Sequence, residues 1–274
     1  TLNITGSKDV SLGSVIAKEV NAGSSTGKIT MTASNANTSK TITTGTGADH
    51  ITLNQALKFT VDAGNGDNTV VITNAATASS IATGSGADTV TIGTANSVVV
   101  VTGAGDDTVN FNADSDSIII MGDGTSDKII FNSAYDLSVS NPNFAVTGVE
   151  IVDVAAAGAI SVKITAAAFA LDNTFKLIGT AAGTDDVLTV VNTSTTAGAV
   201  IDASGVTFNS TQDAFLSLQG AAKLADTITG SAKNDTIIAS SGADIINGGE
   251  GTDTLSIDAT SAATLGAGVL FAGK

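Results

Sequence analysis

One short phrase of glycine and acid recurs five times between Thr44 and Phe131. Its first glycines are Gly45, Gly64, Gly84, Gly103 and Gly122, spaced by 19, 20, 19 and 19 residues. Each is followed two positions later by a second glycine, at Gly47, Gly66, Gly86, Gly105 and Gly124, and then by an acidic or amide position at Asp49, Asp67 with Asn68, Asp88, Asp107 and Asp127. A fixed period of this length is the mark of a stacked repeat architecture. Beyond each acid the apolar residues alternate: Ile51 and Leu53, Val70 and Ile72, Val90 and Ile92, Val109 and Phe111, Ile129 and Phe131. That is the period of a strand with one buried face. Three residues before each first glycine stands another apolar residue, at Ile42, Val61, Ile81, Val100 and Ile119, which belongs to a second strand returning from the far side of the coil. The expected fold is all-β, a parallel β-roll or β-helix solenoid whose coils stack roughly 4.8 Å apart.

The turn composition carries the chemistry. Glycines at alternate positions permit a tight reversal that leaves carbonyl oxygens free of a Cβ. An aspartate beside them adds charge, and stacking repeats the arrangement on the next coil. Carbonyl oxygens with one or two carboxylates in an irregular cage suit a hard cation that takes six to eight oxygen ligands, Ca²⁺ before Mg²⁺. Glycine and aspartate turns also close ordinary hairpins; five in register favour calcium.

A tighter period appears from Ala221. Asp226, Asp235, Asp244 and Asp253 are spaced by nine residues each, with Ile228, Ile237, Ile246 and Leu255 two positions beyond. The last copy, Gly248 to Ser256, contains Gly249, Gly251 and Asp253 and is a complete G-G-x-G-x-D-x-U-x nonapeptide; the copy before it keeps only Gly242 and Asp244. At nine residues per half-turn both edges of this roll are expected to carry cation turns, and only one edge of the first.

The chain divides on these grounds into a β lead-in (1–43), a calcium roll (44–135), a β-rich middle segment (136–220) and a nonapeptide roll (221–274). Strands are expected in the lead-in at Leu2 to Thr5, Ile29 to Thr32 and Thr41 to Thr43. The Asn141, Pro142 and Asn143 run marks a junction. In the middle segment strands are expected near Val146 to Val154, Ser161 to Thr165, Phe175 to Ile178, Val200 to Ala203 and Phe215 to Leu218, with a single helical turn at Ala166 to Leu171. Gly183 to Val190 reads equally as a degenerate coil or a plain turn.

Composition limits the partners. With 11 Lys and Arg against 26 Asp and Glu the net charge is −15, so nucleic acid is excluded as a natural partner. The chain has no Cys, hence no disulfide framework. It has no run of 18 apolar residues, so no membrane span is expected. It begins at Thr1 without a recognisable leader and is expected to be a piece of a longer protein. The single His, His50, falls on the outward phase of a strand, and no Gly-x-Ser-x-Gly or His-Glu-x-x-His sequence occurs. No enzyme activity is expected. A threonine-faced binding solenoid is disfavoured because no Thr-x-Thr row repeats in register.

The nonapeptides at 230–256 and the glycine and acid turns at 45–127 resemble the RTX, or hemolysin-type, calcium-binding repeats. The departures are Asn68 for Asp, one extra residue before Asp127, and Leu224 and Lys233 for glycine. The resemblance implies Ca²⁺ as the bound ion and secretion from a Gram-negative bacterium by the type I route, whose C-terminal signal has little room in the 18 residues after Ser256. The phrase from Phe144 to Ile151, with the acidity and the Ala, Thr, Ser and Val richness, is similar to RTX-type bacterial surface-layer proteins. That likeness implies a calcium-dependent two-dimensional lattice on the cell surface, with other copies of the chain as partners and cell-surface polysaccharide reached through other parts of the protein. The alternative is the repeat region of a larger secreted adhesin, toxin or hydrolase.

Overall fold

A computed structural model describes residues 1–34, 39–76, 78–93, 97–139, 143–154, 159–179, 186–209, 214–257 and 270–273. Asn141 and Pro142 of the expected junction, Gly183, and most of the tail after Ser256 lie outside the described residues. The chain forms two compact units, Thr1–Ile130 with Asn143–Val149, and Phe131–Pro142 with Glu150–Lys274. Each is a parallel β-solenoid, and the only described helix is the single turn Ala166–Phe169.

In the first unit one sheet stacks Leu2–Asn3, Glu19–Asn21, Ser39–Thr43, Lys58–Asp62, Ser79–Ala82, Val98–Val101, Ile118–Ile120 and Ala145–Thr147 in that order. The other stacks Val10–Val15, Ile29–Ala33, His50–Asn54, Thr69–Asn74, Thr89–Ile92, Thr108–Phe111 and Lys128–Phe131. The chain alternates between them, so every coil donates one strand to each. Pairing is parallel and in the register of the repeat: Ile51, Val70, Val90 and Val109 form one column, and Ile42, Val61 and Ile81 another.

Strands form here because Val, Ile and Thr alternate for four to six residues, and each stops where glycine and acid break the alternation. Ile81, Val90 and Ile92 are all 0% exposed, and burying each contributes about 1.5–3 kcal/mol. A single coil has no closed core, so this burial exists only when its neighbours are stacked above and below. Residues 1–43 continue the same two sheets. Their strands Val10–Val15 and Glu19–Asn21, which lack the glycine and acid phrase, were not legible from the period.

Among the described residues no Thr-x-Thr row repeats in register: Thr89 and Thr91 pair with Thr69 and Val71 on one side and with Thr108 and Asn110 on the other, leaving a single threonine column. Thr69, Thr89 and Thr108 pair directly on the outer face of the second sheet, and His50 continues that column to Thr30.

In the second unit one sheet runs Tyr135–Asp136, Ser161–Thr165, Asp186–Val191, Ala214–Gln219, Thr236–Ala239 and Thr254–Ile257, and another runs Val200–Asp202, Thr227–Thr229, Ile245–Gly249 and Leu270–Gly273. The helical turn is capped by Thr165, whose hydroxyl accepts the Ala168 N–H at 3.0 Å. It buries Phe169 edge-on against Phe175, with ring centroids 6.0 Å apart.

Candidate metal centre

The turns are built by close approach of successive coils. Gly84 and Gly103 adopt φ of +93° and +106°, and a Cβ on either would overlap the carbonyl of the corresponding glycine one coil back, Gly64 and Gly84 respectively. Glycine is required there by both conformation and space. The carbonyl of Gly84 accepts the Ala104 N–H, and that of Gly103 the Asp123 N–H, both at 2.9 Å.

The acidic side chains turn inward. Asp49, Asn68, Asp88, Asp107 and Asp127 are each 0–1% exposed. They form one continuous column in which the N–H of each rung donates to the side-chain oxygen of the next. Ile29 donates to Asp49 at 2.6 Å, Asp49 to Asn68 at 3.0 Å, Asn68 to Asp88 at 2.7 Å, Asp88 to Asp107 at 2.8 Å and Asp107 to Asp127 at 2.7 Å. All lie on one edge, as expected for this roll. Three members of the column leave an oxygen without a partner: Oδ2 of Asp49, of Asp88 and of Asp107 are buried and receive no hydrogen bond. At Asp127 the second oxygen accepts the Gly124 N–H at 3.2 Å.

Electrostatics follow from this burial. Desolvation pushes the Asp88 carboxyl up to about 7, opposed by the Asn68 N–H and assisted by the neighbouring negative charge of Asp107. Asp49 and Asp107 are raised for the same leading reason. The Thr83 hydroxyl lies beside Asp88, but its one hydrogen is directed at the Thr102 carbonyl, 2.9 Å away. A cation placed against these oxygens removes both the desolvation penalty and the repulsion between rungs.

The second unit has two such columns, one per edge, as the nine-residue spacing requires. The Asp226 N–H donates to Asp244 and the Asp235 N–H to Asp253, each at 3.0 Å. Here, though, most carboxylates are met by protein donors. Asp226 accepts the Ala199 and Ala221 N–H groups and the Asn192 side-chain amide, at 2.7, 2.8 and 2.7 Å. Asp235 and Asp244 accept both the N–H and the hydroxyl of Ser231 and Ser240 respectively, at 2.6–3.1 Å. Asp235 is nonetheless raised to about 6 by burial, with Asp253 adding to the rise. Among the described residues of this unit, only the complete nonapeptide, where Gly249 stands in place of serine, leaves a buried side-chain oxygen over: Oδ2 of Asp253.

Several site residues were misplaced or missed by the sequence. Asp67 is exposed and accepts the Ala87 N–H at 2.9 Å, so Asn68, not Asp67, occupies the rung. Asp186 is fully buried and accepts the Ile160 N–H at 2.8 Å, which makes it a rung acid of the second unit. Thr44, Thr83 and Thr102, each preceding a first glycine, donate their hydroxyls to the carbonyls of Ala63, Thr102 and Met121 at 2.8–2.9 Å. Their recurrence one position ahead of the phrase was the available signal. Ser231 and Ser240 were legible only as departures from glycine.

Among the described residues no three His, Cys, Asp or Glu side chains converge on one point. A cation at these turns would draw on backbone carbonyls with one or two carboxylates, a donor set suited to calcium. No helix among the described residues is long and apolar enough to cross a membrane.

The model of one protein family matches the chain, that of the RTX calcium-binding nonapeptide repeat, over residues 83–118 and 224–255 in 4 copies. Comparison with curated proteins and with solved structures gave no match. The matched stretches hold Asp88, Asp107, Asp226, Asp235, Asp244 and Asp253, so the inward acid columns of both units lie partly within them. The chain carries RTX calcium-binding repeats, and those repeats indicate that it binds Ca²⁺.

Proposed function

We propose that this chain is a calcium-stabilised structural solenoid of the cell exterior, in which Ca²⁺ seats at the glycine and aspartate turns and allows the acid columns to close. The proposed ligands are the carboxylates of Asp49, Asp88, Asp107, Asp127 and Asp253 with carbonyls of the adjoining glycine turns; Asp226, Asp235 and Asp244 are met by protein donors instead. The observation that carries this reading is the set of unpartnered buried oxygens on Asp49, Asp88 and Asp107. Each buried group left without a partner costs about 1–3 kcal/mol, so a stack of them opposes folding until a cation arrives. Extracellular Ca²⁺ modules bind at ~10⁻⁴ to 10⁻³ M, and tenfold excess over Kd then contributes roughly 1.4 kcal/mol per site. The chain is proposed to stay largely unfolded in low cytosolic calcium and to fold after export.

The finer reading is assembly into a two-dimensional surface lattice on a Gram-negative cell, supported by the sequence likeness to RTX-type surface-layer proteins. The test is a titration of the purified chain from excess chelator, followed by far-UV circular dichroism with magnesium as control, then negative-stain imaging in calcium. A β signal rising with calcium and not magnesium supports the calcium reading; a spectrum already fully β in chelator overturns it. Ordered sheets in the images support the lattice. Monomers overturn it in favour of the repeat region of a larger secreted protein.

A further inference from the structure

We infer that Asn68 is a built-in replacement for the cation, so that one rung of the acid column closes on protein atoms alone. The inference rests on the calcium reading of the neighbouring rungs, Asp49 and Asp88. Asn68 is 1% exposed. Its Oδ1 accepts the Asp49 N–H at 3.0 Å, which fixes the orientation of the amide, because the reverse orientation would set NH₂ against N–H. The nitrogen Nδ2 therefore faces the other way, where three backbone carbonyls converge on it: Gly66 at 2.7 Å, Thr83 at 3.0 Å and Gly64 at 3.4 Å. Two of these belong to the turn of its own coil and one to the next coil. At Asp49, Asp88 and Asp107 the corresponding atom is a carboxylate oxygen, an acceptor that receives no hydrogen bond. One rung thus has a partial positive charge among carbonyls where the others have a negative one.

A second substitution in the same coil fits the first. The position before the first glycine is Thr44, Thr83 or Thr102 in the coils of Asp49, Asp88 and Asp107, the three with a bare buried oxygen, and each hydroxyl donates to a carbonyl of the next coil; in the Asp127 coil, where the second oxygen accepts the Gly124 N–H, it is Met121. In the Asn68 coil that position is Ala63, which has no hydroxyl. The Asn68 amide supplies the missing donor, to the Thr83 carbonyl. The coils of Asp49, Asp88 and Asp107 pair Thr with Asp, and this coil pairs Ala with Asn; the second pairing satisfies the turn without metal. The rung is a neutral joint between two cation-requiring neighbours.

The experiment counts bound calcium by native mass spectrometry and equilibrium dialysis on the full chain, with folding checked by circular dichroism in calcium. The variants are Asn68→Asp, the double variant Ala63→Thr with Asn68→Asp, and Asp88→Asn. The expected results are one more Ca²⁺ per chain for Asn68→Asp or the double variant, and one fewer for Asp88→Asn, which should also reach half-folding at a lower calcium concentration. If Asp88→Asn loses a calcium and neither Asn68 variant gains one, the inference is overturned while the calcium reading stands. If Asp88→Asn keeps the parent count, the calcium reading of this column fails first. The double variant copies the residue pair of the neighbouring coil, so failure of both Asn68 variants to fold in calcium also overturns the inference.

Discussion

The Asn68 N–H donates to the Asp88 carboxylate at 2.7 Å, so two side chains that differ only in NH₂ for O⁻ sit on consecutive rungs with opposite requirements. Replacing Asp88 with Ala removes that acceptor and leaves a buried N–H unpaired. The expected loss is about 1–3 kcal/mol in urea unfolding at saturating calcium. Asp88→Asn, which keeps Oδ1, should lose less than the alanine variant.

Gly84 and Gly13 both have positive φ, at +93° and +60°, but only Gly84 presses against another coil. A Cβ on Gly13 would meet nothing within 4 Å. Gly13→Ala should therefore cost about 1 kcal/mol for the backbone conformation alone, and Gly84→Ala more than about 3 kcal/mol, because strain and carbonyl overlap act together. Thermal unfolding of the two variants in calcium measures the difference; equal shifts would contradict the close stacking.

The raised carboxyl of Asp88 predicts the direction of pH dependence in chelator. A group whose folded value of about 7 exceeds its unfolded 3.8 holds its proton more tightly when folded. Its contribution is complete below pH 3.8 and is lost as pH rises through about 7. Metal-free chain should thus gain β signal on acidification from about pH 8 to 4, a window that also covers Asp235 at about 6. In calcium the order inverts, since protons compete for the same oxygens: the calcium midpoint should rise as pH falls. Dichroism across that range with and without chelator checks both.

Phe111 is 0% exposed and meets Phe144 edge-on, with ring centroids 5.4 Å apart. Phe111→Ala should cost about 3–5 kcal/mol and, at limiting calcium, raise the calcium needed for folding.

Asp244 and Asp253 offer a contrast within one roll. Asp244 has the Ser240 N–H and hydroxyl on Oδ2, whereas Asp253 Oδ2 has no donor. Asp253→Asn is expected to lower the calcium count by one, and Asp244→Asn to leave it unchanged, by native mass spectrometry.

Much of this was legible in the chain. Ile51, Val70, Val90 and Val109 recur at a fixed distance from a glycine, and the strands and their buried faces follow from that spacing alone. The two-edged arrangement of Asp235 and Asp244 was legible for the same reason, since a nine-residue period decides it, and the helical turn at Ala166 was legible from its run of alanines behind Thr165. Asp186 was ambiguous because its preceding turn lacks the second glycine. Val10–Val15 escaped because nothing in its neighbourhood repeats.

By itself the sequence determined the coil, its period and the ion its turns suit, because strand alternation and glycine turns are properties of neighbouring residues. Only the tertiary structure decided which carboxylates keep a buried oxygen without a protein donor. Asp88 and Asp244 look alike in sequence, yet one keeps a bare buried oxygen and the other is met by Ser240. Asn68 reads as a lapse in the repeat until the next coil brings the Thr83 carbonyl to its amide. The physical reason is that a buried acceptor is satisfied by whatever stacking carries to it, and stacking joins residues about twenty positions apart.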